Sequence, residues 1–202
     1  SYLVVAVTLS GEESMEWISE LAQGIKHEAS SCGAVVVGGD LARGAIKVIS
    51  MSALGEVEKA VTRSGAQVGD SIYLSSLPGW SAAGLSCIEK SELSDLESYA
   101  VEEFCSPTLD YSMAVAFAHK GAHAMCDVSD ALVIQAEQLA QASGVQLVFD
   151  AEAFKASEEF AQLSELAEAS GVDVWQWIFA GGEDHVFLAT GKDLPGLSVG
   201  VV

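Results

Sequence analysis

The sequence predicts an α/β or α+β protein two layers thick. Apolar, β-branched runs alternate with segments of helical periodicity, and no internal repeat interrupts the alternation. Half of the 202 residues are hydrophobic, enough for a substantial core.

The chain opens in Tyr2 to Leu9, a run that reads as a strand buried on both faces. Such a strand needs partners, which predicts that part of the fold lies upstream of Ser1. Residues 12–30 set Met15, Ile18, Ala22 and Ile25 at helical spacing, widened by Trp17 and Leu21, and predict an amphipathic helix. Ala34 to Val37 and Ala45 to Val57 predict strands on either side of a Gly38-Gly39-Asp40 turn. The polar, glycine-bearing stretch 58–70 breaks the strand rhythm and predicts a domain boundary near residue 58.

Beyond it, 71–76 reads as a strand, Pro78-Gly79 as a turn and Ser81 to Leu85 as the start of a small-residue helix. Helices are expected at 93–104 and 110–120, then a short strand at 122–127. A helix from Asp130, apolar at Leu132, Ala136, Leu139 and Ala140, should end at Gly144. Val145 to Phe149 predicts a strand and 158–170 an acidic helix. In the aromatic segment 173–179, Trp175 and Trp177 alternate like neighbours on one strand face, a pattern more often packing than a ring-stacking platform. Val186 to Ala189 and the final run from Leu197 complete the strands.

Charge narrows the partners. With 29 acidic against 9 basic side chains the formal charge is −20, a field that repels nucleic acid and anionic membrane surfaces. The same field repels ATP unless bound cations reverse the local sign, so a phosphate-binding reading requires divalent metal. Cys32, Cys87, Cys105 and Cys126 are scattered singly, without zinc-ligand spacing, and predict reduced thiols in a cytoplasmic protein. No apolar run approaches the ~20 residues of a membrane span.

Three acidic segments carry the chemistry: Val37-Gly38-Gly39-Asp40, Asp127-Val128-Ser129-Asp130 and Gly181-Gly182-Glu183-Asp184. Each has an ordinary reading. Gly and Asp dominate tight turns, Ser129 is a good N-cap, and Asp130 suits the positive end of a helix. Together they also suit metal-bound phosphate: carboxylates are hard ligands for Mg²⁺, glycines admit a bulky anion, and Ser129 can donate to a phosphate oxygen. Arg63 is either a solvated arginine or a bidentate phosphate clamp. His27, His119, His123 and His185 form no ligand or triad spacing. No P-loop, dinucleotide fingerprint or nucleophile elbow is present, so a nucleotide site here is of another kind.

Val36 to Asp40, Ser52 to Glu56, Arg63 to Ala66, Gly69-Asp70, Ser81 to Leu85, Asp127 to Asp130 and Gly181 to Asp184, in this order, resemble the thiamine-monophosphate kinase family over nearly the whole chain. That family shares a superfamily with aminoimidazole ribonucleotide synthetase and selenophosphate synthetase. The resemblance implies a two-domain ATP-binding fold without a P-loop, here incomplete at both ends: 1–58 as the remainder of an N-terminal ATP- and metal-binding domain, 59–202 as a C-terminal α/β domain. It implies ATP-dependent conversion of thiamine phosphate to thiamine diphosphate, with Mg²⁺ ions between aspartates and phosphates, in a homodimer. By position, Gly39, Asp40, Arg63 and Ser129 would meet ATP, Asp40, Asp127 and Asp130 would hold metal, and Glu183 would meet the thiamine substrate. Ala131 and His185 depart from the family's usual glycine and tyrosine. A Gly-Asp-Asp motif, a Ser-Asp-Leu segment and much of the dimer-forming sheet are expected before Ser1, and a thiamine-stacking aromatic after Val202.

Direct transfer needs no covalent intermediate, because the acceptor phosphate is itself a nucleophile to be aligned and relieved of charge. Three alternatives stay open: another ATP-dependent synthetase of the superfamily, a non-catalytic metal- or nucleotide-binding fragment, and an acidic domain whose turns bind nothing.

Overall fold

The computed structural model describes all residues from Ser1 to Val202, which form two compact units, Ser1–Ala60 and Val61–Val202. In the first, β1 (Tyr2–Leu9) lies between β2 (Val35–Arg43) and β3 (Val48–Leu54). β2 runs parallel to β1 and β3 antiparallel. A parallel neighbour requires a crossover, and α1 (Met15–Ser31) supplies it. Ser14 starts the helix by accepting the Trp17 amide on its hydroxyl at 3.1 Å.

One sequence expectation is corrected here. Gly38, Gly39 and Asp40 form no turn; they lie inside β2, with Gly39 opposite Val5 and Asp40 opposite Ala6. The register slips between Leu3 and Val4, skipping Val37 on the β2 side. A Cβ on Gly39 would collide with the Val5 carbonyl oxygen, so glycine is there for close strand approach.

The second unit is a five-stranded, wholly antiparallel sheet in the order β5-β7-β4-β8-β6. Its strands are β4 (Ser71–Leu74), β5 (Ala124–Val128), β6 (Val148–Phe149), β7 (Val186–Gly191) and β8 (Leu197–Val201). Its helices are α2 (Trp80–Cys87), α3 (Asp95–Cys105), α4 (Tyr111–His119), α5 (Leu132–Ser143), α6 (Ala151–Lys155), α7 (Glu158–Ser170) and α8 (Val174–Ala180). Strand alternation sorts the core to two faces. Ile72, Leu74, Cys126, Val128, Val186 and Leu188 join the larger cluster with Trp80, Leu132, Leu139, Leu163 and Ile178. Tyr73 and Ala189 face the other way and pack with Phe117 of α4.

Residues 174–180 are a helix rather than the expected strand. Asp173 caps it by accepting the Trp175 amide at 3.1 Å, and Trp175 lies among Phe154, Phe160 and Phe179 at centroid distances of 5.1–5.9 Å. α5 begins at Leu132, with Ala131 rather than Ser129 at its cap, and ends at Gly144 in the left-handed region, φ 68°. No helix is long and apolar enough to cross a membrane.

Candidate functional site

Three chain segments of the second unit meet where β5 ends. Asp127 is the last residue but one of the strand, and alternation turns it away from Cys126 and Val128, which enter the larger core. The chain then leaves through Ser129, Asp130 and Ala131 into α5. Alongside runs the loop 181–185, bound by backbone: the Glu183 amide donates to the Ser129 carbonyl at 2.7 Å and the His185 amide to that of Val128 at 3.0 Å. A Cβ on Gly182 would run into the Asp130 carbonyl, so this approach excludes any larger residue.

Arg63 arrives from the third segment. Ser143, at the end of α5, holds its loop: the hydroxyl accepts the Gly65 and Ala66 amides at 3.1 and 3.2 Å and donates to the Arg63 carbonyl at 3.1 Å. The guanidinium then stands 3.6 Å from Asp127 Oδ1 and donates to the Gln135 carboxamide oxygen at 3.3 Å. Arg63 and Asp127 are 44% and 43% exposed, so the pair itself contributes little stability and the cation remains open to an anion from solvent. His185 completes the cluster, with one ring nitrogen 3.8 Å from Asp127 and the other 3.8 Å from Glu183.

Glu183 and Asp184 are neighbours with opposite fates. Glu183 is 71% exposed, whereas Asp184 is 7% exposed and accepts the Gly79 and Ser81 amides at 2.8 and 2.9 Å, across the N-terminus of α2. Burial, reinforced by the charge of Glu103, pushes the Asp184 carboxyl up to about 6 against the pull of those amides. Ser81 adds a hydroxyl donation to the Glu183 carbonyl at 2.9 Å. The loop is thus stapled to α2 from below and to β5 from the side.

The second unit therefore gathers Arg63, Asp127, Ser129, Asp130 and Glu183. Gly39 and Asp40 belong to the first unit, where Asp40 lies on β2. No group of three or more His, Cys, Asp or Glu side chains is placed to hold a metal ion. Asp127 and Asp130 offer hard carboxylate oxygens suited to Mg²⁺, so in this unit a cation would complete its shell with ligand or water oxygens. Three of these side chains, Gln135, His185 and Ser143, were not among the candidate site residues. Gln135 looked like one more polar residue of an amphipathic helix, and His185 lacked any partner at recognisable spacing. Ser143, next to the helix-ending glycine, gave no signal beyond a terminus.

Two family profiles match the chain: AIR synthase related protein, N-terminal domain, over residues 1–57, and AIR synthase related protein, C-terminal domain, over residues 67–178. The chain belongs to the AIR synthase related family. Within it, the thiamine-monophosphate kinase of Corynebacterium glutamicum is 31% identical over 193 residues, covering 93% of this chain and 57% of that relative. The chain thus spans somewhat over half the length of that relative. The crystal structure of thiamine monophosphate kinase from Aquifex aeolicus matches with a TM-score of 0.89 at 28% identity, over 99% of this chain and 70% of that one. AaThiL complexed with AMPPCP and TMP matches with a TM-score of 0.87 at 28% identity, over 99% and 65% respectively. The fold is therefore the mixed α/β fold of this family, as the motifs implied.

Proposed function

We propose that this chain is part of a kinase that phosphorylates thiamine phosphate to thiamine diphosphate with ATP. The observation that carries the reading is the convergence of Arg63, Asp127, Ser129, Asp130 and Glu183 at one strand end, in a chain whose relatives are thiamine-monophosphate kinases. An oxygen of the acceptor phosphate attacks the γ-phosphorus of ATP, the bond from that phosphorus to the β,γ-bridging oxygen breaks, and ADP leaves. No covalent enzyme intermediate is needed, so the residues work by alignment and charge.

In this reading Arg63 holds nucleotide phosphate through a forked guanidinium, and Ser129 donates its hydroxyl to a phosphate oxygen. Asp127 and Asp130 would hold Mg²⁺, and Gly39 and Asp40 are proposed, by motif position, as nucleotide and metal contacts. Bound Mg²⁺ supplies neutralisation of phosphate charge in a chain of formal charge −20. Glu183 presents an exposed carboxylate suited to the cationic thiazolium ring of thiamine phosphate. A cytoplasmic homodimer that binds neither nucleic acid nor membrane completes the proposal.

The test is chromatographic detection of thiamine diphosphate from thiamine phosphate, ATP and Mg²⁺. Formation of the product is expected, with Asp130→Asn lowering turnover by about 100-fold or more while the circular dichroism spectrum persists. Undiminished turnover in Asp130→Asn removes that residue from the site. Phosphorylation or ligation of a different acceptor assigns the chain to another synthetase branch. Mg²⁺-dependent ATP binding without product identifies a nucleotide-binding fragment.

A further inference from the structure

Gln135 lies in the first turn of α5, 2% exposed. Its carboxamide oxygen accepts from Arg63 Nη2 at 3.3 Å, while its nitrogen donates to Asp130 Oδ2 at 3.3 Å and Ser129 Oγ at 3.4 Å. Three candidate site residues, from two separate segments, thus converge on one buried amide.

Partner chemistry fixes that amide's orientation. Arg63 can only donate and an ionised Asp130 can only accept, so the oxygen must face the guanidinium and the nitrogen the carboxylate. Other residue types cannot serve both. Glutamate would set a second negative charge against Asp130, lysine a second positive charge against Arg63, and asparagine is one methylene shorter. Gln135 thus bonds Arg63 and Asp130 separately, and no ion pair joins those two charges.

We infer that Gln135 is a positioning residue, holding the Arg63 guanidinium and the Asp130 carboxylate in register as separate charges so that one meets phosphate and the other metal. This rests on the nucleotide reading given above. Its structural half, the ordering of Arg63, holds without ligand and can be read without ligand.

The experiment compares the full chain with Gln135→Met, which keeps length and apolar bulk, and with Gln135→Glu, which keeps only the acceptor. In ligand-free protein the Arg63 side-chain Nε–H resonance is expected to be dispersed in the parent and in Gln135→Glu, and to collapse to the solvent-averaged position in Gln135→Met. Calorimetric titration with Mg²⁺ and a non-hydrolysable ATP analogue should give a Kd raised about tenfold in both variants, with little change in melting temperature. An Arg63 resonance unmoved by Gln135→Met overturns the inference, as does a moved resonance with unchanged affinity. If the parent chain fails to bind the Mg²⁺-analogue mixture, the nucleotide reading falls, and the Arg63 resonance alone decides whether Gln135 positions it.

Discussion

Asp184 sets up a contest between burial and hydrogen bonding whose outcome has a sign. The carboxyl is 7% exposed and accepts two amides at the start of α2, yet burial lifts it from 3.8 to about 6. At 1.36 kcal/mol per unit, keeping this group ionised in the folded state costs about 3 kcal/mol. Because the folded chain binds the proton more tightly than the unfolded chain, the group's contribution is fully present below pH 3.8 and is lost as the pH rises through about 6. Asp184→Asn removes the titration and substitutes a donor for one acceptor, a pH-independent penalty. Urea unfolding of both proteins from pH 4 to pH 8 isolates the effect, since Glu13 and Glu97, held down to about 2 by hydrogen bonds, titrate alike in both. The parent should lose about 2 kcal/mol or slightly more relative to Asp184→Asn across this range, most steeply between pH 4 and 6, because part of the full contribution is already gone at pH 4. A flat difference would refute the burial argument. A difference that grows with pH would show that the amides of Gly79 and Ser81 outweigh burial.

Gly39→Ala forces a Cβ against the Val5 carbonyl and should cost about 2 kcal/mol in thermal or urea unfolding, with loss of strand signal from the first unit. Gly182→Ala pushes loop 181–185 off the Asp130 carbonyl; a similar loss, together with about tenfold weaker nucleotide-analogue binding in calorimetry, is expected. Iodoacetamide at pH 8 should label the exposed Cys32 and Cys105 in the native protein but spare Cys87 and Cys126, both buried, the latter with its thiol pushed up to about 11. Mass mapping that finds Cys126 labelled before unfolding would contradict its burial. Phe154 is fully buried and meets Phe149, Trp175 and Phe179, so Phe154→Ala should destabilise by about 4 kcal/mol in the same unfolding assay.

Legibility in the sequence followed the range of the interaction that decides each element. β1 as a strand and the end of α5 were readable because a run of β-branched residues and a helix-ending glycine are local signals, but β1 is not buried on both faces as expected: only Leu3 is buried. The α8 segment was misread because seven residues are too few to show helical period, and Trp favours strands in isolation. Its helix is set by the Asp173 cap and by Trp175 packing on Phe154 and Phe160, ring contacts made across the chain. The Gly38-Gly39-Asp40 turn failed for the same reason: glycine marks both a turn and a close backbone approach, and only the position of Val5 tells them apart. At the candidate site the motifs named Asp127, Ser129, Asp130 and Glu183, but not what joins them. The links are a backbone bond from Glu183 to Ser129 and an amide buried at Gln135, and neither backbone pairing nor burial is written in a motif.

Loop 181–185 shows how its two glycines and two strained residues divide the work. Gly181 and Gly182 supply space: a Cβ on one would strike the Trp177 carbonyl and on the other that of Asp130. The left-handed conformations fall on Glu183 at φ 68° and His185 at φ 55°, side chains that resist them at a cost of about 1–3 kcal/mol each. Such a cost persists only where surroundings enforce it. Here they do, through the amide bonds to Ser129 and Val128, the Ser81 hydroxyl on the Glu183 carbonyl, and the Asp184 carboxylate on the α2 amides. The consequence is directional. Asp184 is driven into the core between two residues of reversed φ, and the His185 ring is thereby set 3.8 Å from both Asp127 and Glu183. A relaxed loop of the same sequence would leave that pairing to chance, so the strain is the means by which this fold sets an exposed carboxylate beside the end of β5.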